Sequence, residues 1–312
     1  MKTDYLKPDR TGIERAVAFW RAGEAVAFPT ETVYGLGADA HNDRAVAKIF
    51  DAKSRPSFNP LIAHVATVEA ATTIGHIPDA AQQYLANGWP PGLTLVVPLQ
   101  REAGISRLVT AGQDTIALRV PTAPLARDLL TAFGGPVAAP SANPSGRISP
   151  TSAAHVRAGL DRRIAAVIEG GTTAAGLEST ILGFDAAGPL VLREGAYEVP
   201  DTLRRATEIT RGHGPVAPGQ LSSHYAPRAA LRMNVVRPEP DEWVIGFGPG
   251  VAADRNLSPL GDLVEAAANL FAILHEADEK PRIAVTPVPN TGLGRAINDR
   301  LARAAAPRDT ES

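Results

Sequence analysis

Ala25-Val26-Ala27-Phe28-Pro29-Thr30-Glu31-Thr32-Val33-Tyr34-Gly35-Leu36-Gly37 is the stretch whose reading decides the fold. Its first four residues are apolar and read as a short buried strand that gives way at Pro29. The run from Pro29 to Gly37 is polar and glycine-bearing. It reads as the turn leaving that strand, where α/β scaffolds commonly carry their sites. A plain turn has the same look, so this segment alone decides the fold class and not the chemistry.

Outward from it the pattern alternates. Upstream, Ile13, Ala16, Val17 and Trp20 recur at helical spacing over 11–21, and Gly23 stops the run. Downstream come a helix over 42–52, a strand over 61–65, a helix over 78–86, strands over 93–98 and 115–120, and a helix over 124–133. A small-residue strand, Val137-Ala138-Ala139, follows, then a helix capped by Thr151 or Ser152, and strands over 165–168, 179–184 and 190–193. This is a mixed α/β unit over residues 1–205. Residues 206–235 carry Gly212, Gly214, Pro215, Pro218, Gly219 and Pro227 and read as an irregular connector. Its length and its His224-Tyr225-Ala226-Pro227 segment suit a functional loop better than a spacer. Residues 236–312 then repeat βαβα, with a strand over 243–246, a helix over 262–276 capped by Asp262, a strand over 282–285 and a helix over 293–305. Leu263, Ala267, Leu270 and Leu274 form one buried stripe, and Leu293, Ile297 and Leu301 another.

Composition narrows the chemistry. The 312 residues are 44% hydrophobic and 21% charged, enough apolar material for a real core. With 31 basic against 33 acidic side chains, net charge −2, the chain is not built to coat nucleic acid. The absence of cysteine excludes disulfides, thiolate zinc sites, iron–sulfur clusters and a cysteine nucleophile. The seven histidines lack metal-ligand spacing, so no protein-held transition metal is expected. No run reaches signal-peptide or membrane-span length, which gives the expectation of a cytoplasmic protein without membrane contact.

Lys53 and Arg55 end a helix, where cations can simply complement the negative terminus. They also pair a point charge with a planar fork, a set that suits a polyphosphate. Arg119 and Arg193 each end a strand-like segment, so four cations could converge on one anion. Ser141-Ala142-Asn143 follows the small-residue strand; without a Gly-x-Ser-x-Gly frame, Ser141 and Asn143 are polar ligands rather than a nucleophile and its partner. Gly246-Phe247-Gly248-Pro249-Gly250 lacks the rest of a dinucleotide fingerprint.

The ordered set Pro29-Thr30-Glu31-Thr32-Val33-Tyr34-Gly35-Leu36-Gly37, Lys53-x-Arg55, Asn59-Pro60-Leu61-Ile62, Leu93-Thr94-Leu95, Arg119-Val120-Pro121, Pro140-Ser141-Ala142-Asn143 and Gly176-Leu177-Glu178-Ser179-Thr180 resembles the YrdC-like threonylcarbamoyl-AMP synthases. The His224-Tyr225-Ala226-Pro227 connector, Asn256-Leu257-Ser258 and Thr291-Gly292-Leu293-Gly294 resemble the longer, two-domain form. Ser54, Ser57-Phe58 and the Trp89-Pro90-Pro91-Gly92 order depart modestly from that pattern.

The resemblance implies a twisted mixed sheet with flanking helices, α/β in the α+β sense, and a smaller Rossmann-like α/β C-terminal domain. It further implies that threonine, bicarbonate or carbon dioxide, and ATP become threonylcarbamoyl-AMP and pyrophosphate. Other proteins then use that product to modify a tRNA adenosine. By motif position Thr32, His64, Arg119 and Ser179 would hold threonine. Arg55, Asn59, Thr115, Ser141, Ser149, Arg193 and Tyr225 would contact ATP, with Lys53 and Asn143 beside the phosphates and magnesium arriving on the nucleotide. The connector around His224-Tyr225 would fold over the nucleotide as a lid. A double-stranded RNA-binding module with weak RNA contact, and a carbamoyltransferase using carbamoyl phosphate, stand as alternatives.

Overall fold

The structure, a computed structural model, describes residues 2–203, 205 and 225–306. After β1 (Asp4–Leu6), α1 (Arg10–Arg21) starts at Asp9, whose carboxylate accepts the Gly12 amide, and buries Ala16, Val17 and Trp20. β2 (Val26–Pro29) then pairs antiparallel with β3 (Tyr34–Asp39), Pro29 opposite Tyr34 and Val26 opposite Gly37. The segment expected to be a turn through Gly37 is therefore a turn only over residues 30–33. Its glycines serve packing: a Cβ on Gly37 would stand 2.7 Å from both Phe28 and Val137, so only a bare backbone lets the strand pass beneath them.

α2 (Asp43–Lys53) is capped by Asn42, which accepts the Arg44 and Ala45 amides, and ends at Ser54 in the left-handed region, φ 50°. β4 (Ile62–His64), α3 (Val68–Thr72), α4 (Asp79–Leu85), β5 (Leu93–Pro98), α5 (Arg107–Thr110), β6 (Thr115–Arg119), α6 (Pro124–Phe133) and β7 (Val137–Ala138) follow. Ser152, not Thr151, caps α7 (Ala153–Leu160), which leads to β8 (Ala166–Ile168), β9 (Thr180–Asp185) and β10 (Gly188–Arg193). These ten strands form one mixed sheet in the order β1-β8-β2-β3-β7-β4-β6-β5-β9-β10. Parallel pairing of β4 with β6 brings His64 level with Arg119, and parallel pairing of β5 with β9 sets Leu93 against Thr180.

A second sheet, all parallel, has the order β11 (Ala230–Arg232), β14 (Arg282–Val285), β12 (Trp243–Gly246), β13 (Arg255–Asn256), covered by α8 (Leu263–Ala277) and α9 (Leu293–Ala305). β11 lies inside the stretch read as connector, so the second sheet starts earlier than the pattern implied. Most of that connector, residues 206–224 with His224, lies outside the described residues. Among the described residues no helix is long and apolar enough to cross a membrane.

The two sheets share a core. Val33, Ile148, Leu177 and Tyr225 pack with Leu270, Phe271 and Leu274 of α8. Gly176, φ 65°, touches that helix so closely that a Cβ would lie 2.4 Å from the Ala268 carbonyl. Polar groups line the seam: Arg147 meets Asp278 at 2.9 Å, the Arg228 amide donates to Asp278 at 2.6 Å, and the rings of His155 and His275 stack 3.9 Å apart. His275 donates from Nε2 to the Ser149 carbonyl at 3.2 Å.

Burial, joined by the neighbouring His155, holds His275 at about 4 against an ordinary 6.5. The unfolded chain thus takes up this proton first, so the stability is whole above pH 6.5 and lost as pH falls toward about 4. His275→Gln is expected to lose about 2–3 kcal/mol less stability than the unsubstituted chain across that window in denaturant melts. Equal pH slopes for the two proteins would disprove the assignment.

Candidate active site

The loop between β2 and β3 is built from hydroxyls. Thr30 Oγ1 donates to the Val33 carbonyl at 2.8 Å, which leaves it to accept from Thr32 Oγ1, also at 2.8 Å. Thr32 in turn accepts from Arg119 Nη2 at 2.7 Å. Arg119, at the carboxyl end of β6, also meets Glu31 Oε1 at 2.8 Å. Glu31 accepts the amides of Gly92, Thr122 and Ala123, the last two just ahead of α6. Burial alone would raise its carboxyl; Arg119, with the backbone amides of Glu31 itself and of Gly92, outweighs burial and brings it down to about 2. Arg119 Nε is buried with no hydrogen-bond partner among the described residues. His64, at the end of β4, is kept neutral, down to about 3, by burial and then by Arg119's charge. Ser179, just before β9, shares its hydroxyl with Thr94 at 2.7 Å and accepts Arg193 on both its carbonyl and its Oγ.

Thr30, Thr32, His64, Arg119, Ser179 and Arg193, with Arg55, Ser141, Glu178 and Tyr225, line one cavity of about 520 Å³ counting its open mouth. Arg55, Arg119 and Arg193 are only 9%, 4% and 7% exposed. Among the described lining residues, three guanidinium groups face one carboxylate, Glu178. That carboxylate is engaged from outside the wall by Arg300 Nε at 2.9 Å, and by the Ser149 hydroxyl. Withdrawing cations from water is costly without compensating charge, so the cavity is suited to an anion.

Eight expected residues line this cavity together: Thr32, Arg55, His64, Arg119, Ser141, Ser179, Arg193 and Tyr225. Five do not. The Lys53 ammonium is fully buried and donates to the carbonyls of Ser141, at 2.6 Å, and Asn143. Burial, with Arg55 beside it, holds this amine well below the usual lysine range. Lys53 is thus a tether for the Ser141–Asn143 loop and not a charge presented to the cavity. The Asn143 amide likewise donates to the carbonyls of Pro144 and Arg147. Ser149 stands behind Glu178. Asn59 is buried beside Arg55, which donates to its carbonyl at 3.2 Å and to that of Pro60 at 2.9 Å. Thr115 begins β6, four residues, or about 13 Å of strand, from Arg119.

Four participants carried no expected role: Thr30, Glu31, Glu178 and Arg300. Glu31 and Glu178 each sit inside a quoted motif, and a carboxylate there could have been matched to the strand-end arginines. Arg300 falls three residues after Ile297, on the apolar face of α9, where a lone charge signals a buried partner.

Comparison with known proteins agrees with this geometry. Residues 18–195 match the family described as "Telomere recombination", and residues 191–306 the one described as "Threonylcarbamoyl-AMP synthase, C-terminal domain". A threonylcarbamoyl-AMP synthase of Bacillus subtilis is 40% identical over 98% of this chain and 96% of its own length. One of Pyrococcus abyssi is 38% identical over 95% and 94%. A solved structure, "Crystal structure of P. abyssi Sua5 complexed with L-threonine", superposes with a TM-score of 0.86 at 35% identity, covering 98% of each chain. A mixed sheet, a buried cluster of strand-end arginines and a parallel second sheet thus coincide with sequence similarity along nearly the whole chain, which belongs to the threonylcarbamoyl-AMP synthase family.

Proposed function

We propose that this chain makes threonylcarbamoyl-AMP, from threonine, bicarbonate or carbon dioxide, and ATP. The observation that carries the assignment is the convergence of three buried guanidinium groups with the Thr30, Thr32 and Ser179 hydroxyls in one cavity. The hydroxyl-rich side, with Arg119 Nε still open, suits an amino acid: the guanidinium takes the carboxylate, and Thr32 and Ser179 take the polar end. Arg55, Arg193 and Ser141 form the phosphate side, with Tyr225 against it. His64 stays neutral and adds no third charge beside Arg119 and Glu31.

In the reaction the threonine amine captures the one-carbon unit, with loss of water when bicarbonate is the donor. The carbamate oxygen then attacks the α-phosphate in line as pyrophosphate leaves. Arg55 and Arg193 balance the charge that develops on the leaving oxygens. No covalent intermediate is needed, and burial protects the hydrolysable mixed anhydride. Magnesium would arrive on the nucleotide, since Glu178, the one carboxylate among the described lining residues, has both oxygens engaged. The product goes on to the proteins that transfer threonylcarbamoyl to tRNA. Cations sunk into a cavity cannot touch duplex phosphates, which argues against a double-stranded RNA module.

The direct test supplies ATP, labelled bicarbonate and single amino acids: pyrophosphate release should require threonine and yield a labelled adenylate. Release that ignores threonine, or no release by folded protein, overturns the assignment. Arg119→Ala should raise the KM for threonine about 100-fold while the KM for ATP moves less than about threefold. An equal rise in both would remove Arg119 from the amino-acid side. Lys53→Met should cost about 2–4 kcal/mol of stability in denaturant melts together with most of the turnover, because the Ser141–Asn143 loop loses its tether. Turnover lost at unchanged stability would return Lys53 to direct phosphate contact.

A further inference from the structure

Most of the cavity comes from the first sheet, but one of its walls is held from the second. Arg300 of α9 is 0% exposed and divides its donors three ways: Nε to Glu178 Oε2 at 2.9 Å, Nη1 to Asp299 Oδ2 at 2.7 Å, and Nη2 to the Glu194 carbonyl at 2.9 Å. Its guanidinium carbon also lies 5.1 Å from the centre of the Tyr225 ring, which Phe271 of α8 backs at 5.6 Å. Glu178 in turn accepts the Ser149 hydroxyl on its other oxygen. Both carboxylate oxygens thus have donors. An ionised carboxylate on the wall of a polyphosphate site would repel the ligand at short range unless a cation stood behind it.

We propose that Arg300 is a positioning residue for the nucleotide side of the cavity: reaching in from the second unit, it neutralises Glu178, and with it fixes Ser149 and Tyr225, so that a carboxylate can line a triphosphate site. The inference rests on the reading of this cavity as the site for ATP and threonine. It gives α9 a task in ligand binding as well as in packing. Arg300 touches neither substrate. Its effect falls on ATP through Glu178 and spares the Arg119 side, which Glu31 organises independently.

The test uses the full chain with Arg300→Met, Glu178→Gln and both together, titrated calorimetrically with ATP and, separately, with threonine. Arg300→Met should weaken ATP at least about tenfold and leave threonine within about twofold. Glu178→Gln added to Arg300→Met should restore ATP to within about threefold, since a neutral amide needs no counter-ion. ATP affinity unchanged by Arg300→Met, a parallel loss of both ligands, or no rescue in the double variant would each overturn the proposal. Should Arg300→Met fail to fold, Arg300→Lys decides: it keeps the charge and loses the three-way fork, so ATP should weaken a few-fold with threonine unchanged, and unaltered ATP binding refutes it. Threonine-dependent pyrophosphate release by the unsubstituted chain is scored separately. Its absence would sink the functional reading, while the ATP titrations would still judge Arg300.

Discussion

The ion pair between Arg119 and Glu31 is the constraint from which the rest of the site follows. It joins the end of β6 to the loop between β2 and β3, and Glu31's remaining lone pairs reach the Gly92 amide and the start of α6. Buried pairs of this kind contribute little net stability, because desolvation offsets the attraction. Losing one partner is severe, since the other charge is stranded. The pair therefore fixes geometry: it sets which face of the guanidinium looks into the cavity and fixes the Thr32 hydroxyl beside it.

Much of this fold could be read from residue order. α6, β12, β14 and α9 have the expected bounds, because proline, glycine and a clean apolar period punctuate them. β3 was hidden by its glycines, which look like turn punctuation and in fact make room for Phe28 and Val137. β1, α3, α5, β11 and β13 span two to five residues, too few to show any period. In the site, residue type and motif order picked out eight of the residues that line the cavity. What they could not supply was direction. Lys53 and Arg55 are two residues apart at one helix end, yet the first turns into the protein toward two carbonyls and the second lines the cavity. The partnership of Glu178 with Arg300 spans 122 positions, and no local rule connects them.

In the proposed function the hydroxyl side of the cavity takes the amino acid and the guanidinium side the nucleotide. The first is organised within the large sheet. The second depends on α8 and α9, through Phe271 behind Tyr225 and Arg300 behind Glu178. The second sheet is thus joined to the chemistry by packing and charge together.

The apolar seam has a consequence for motion. Val33 follows Thr32 directly, Leu177 precedes Glu178, and both are buried against α8. Swinging the two sheets apart would wet Val33, Ile148, Leu177 and Tyr225 together, at on the order of 6 kcal/mol or more. A hinge with that penalty is open in well under one molecule in a thousand. The joined arrangement of the two sheets is therefore the resting state of the cavity.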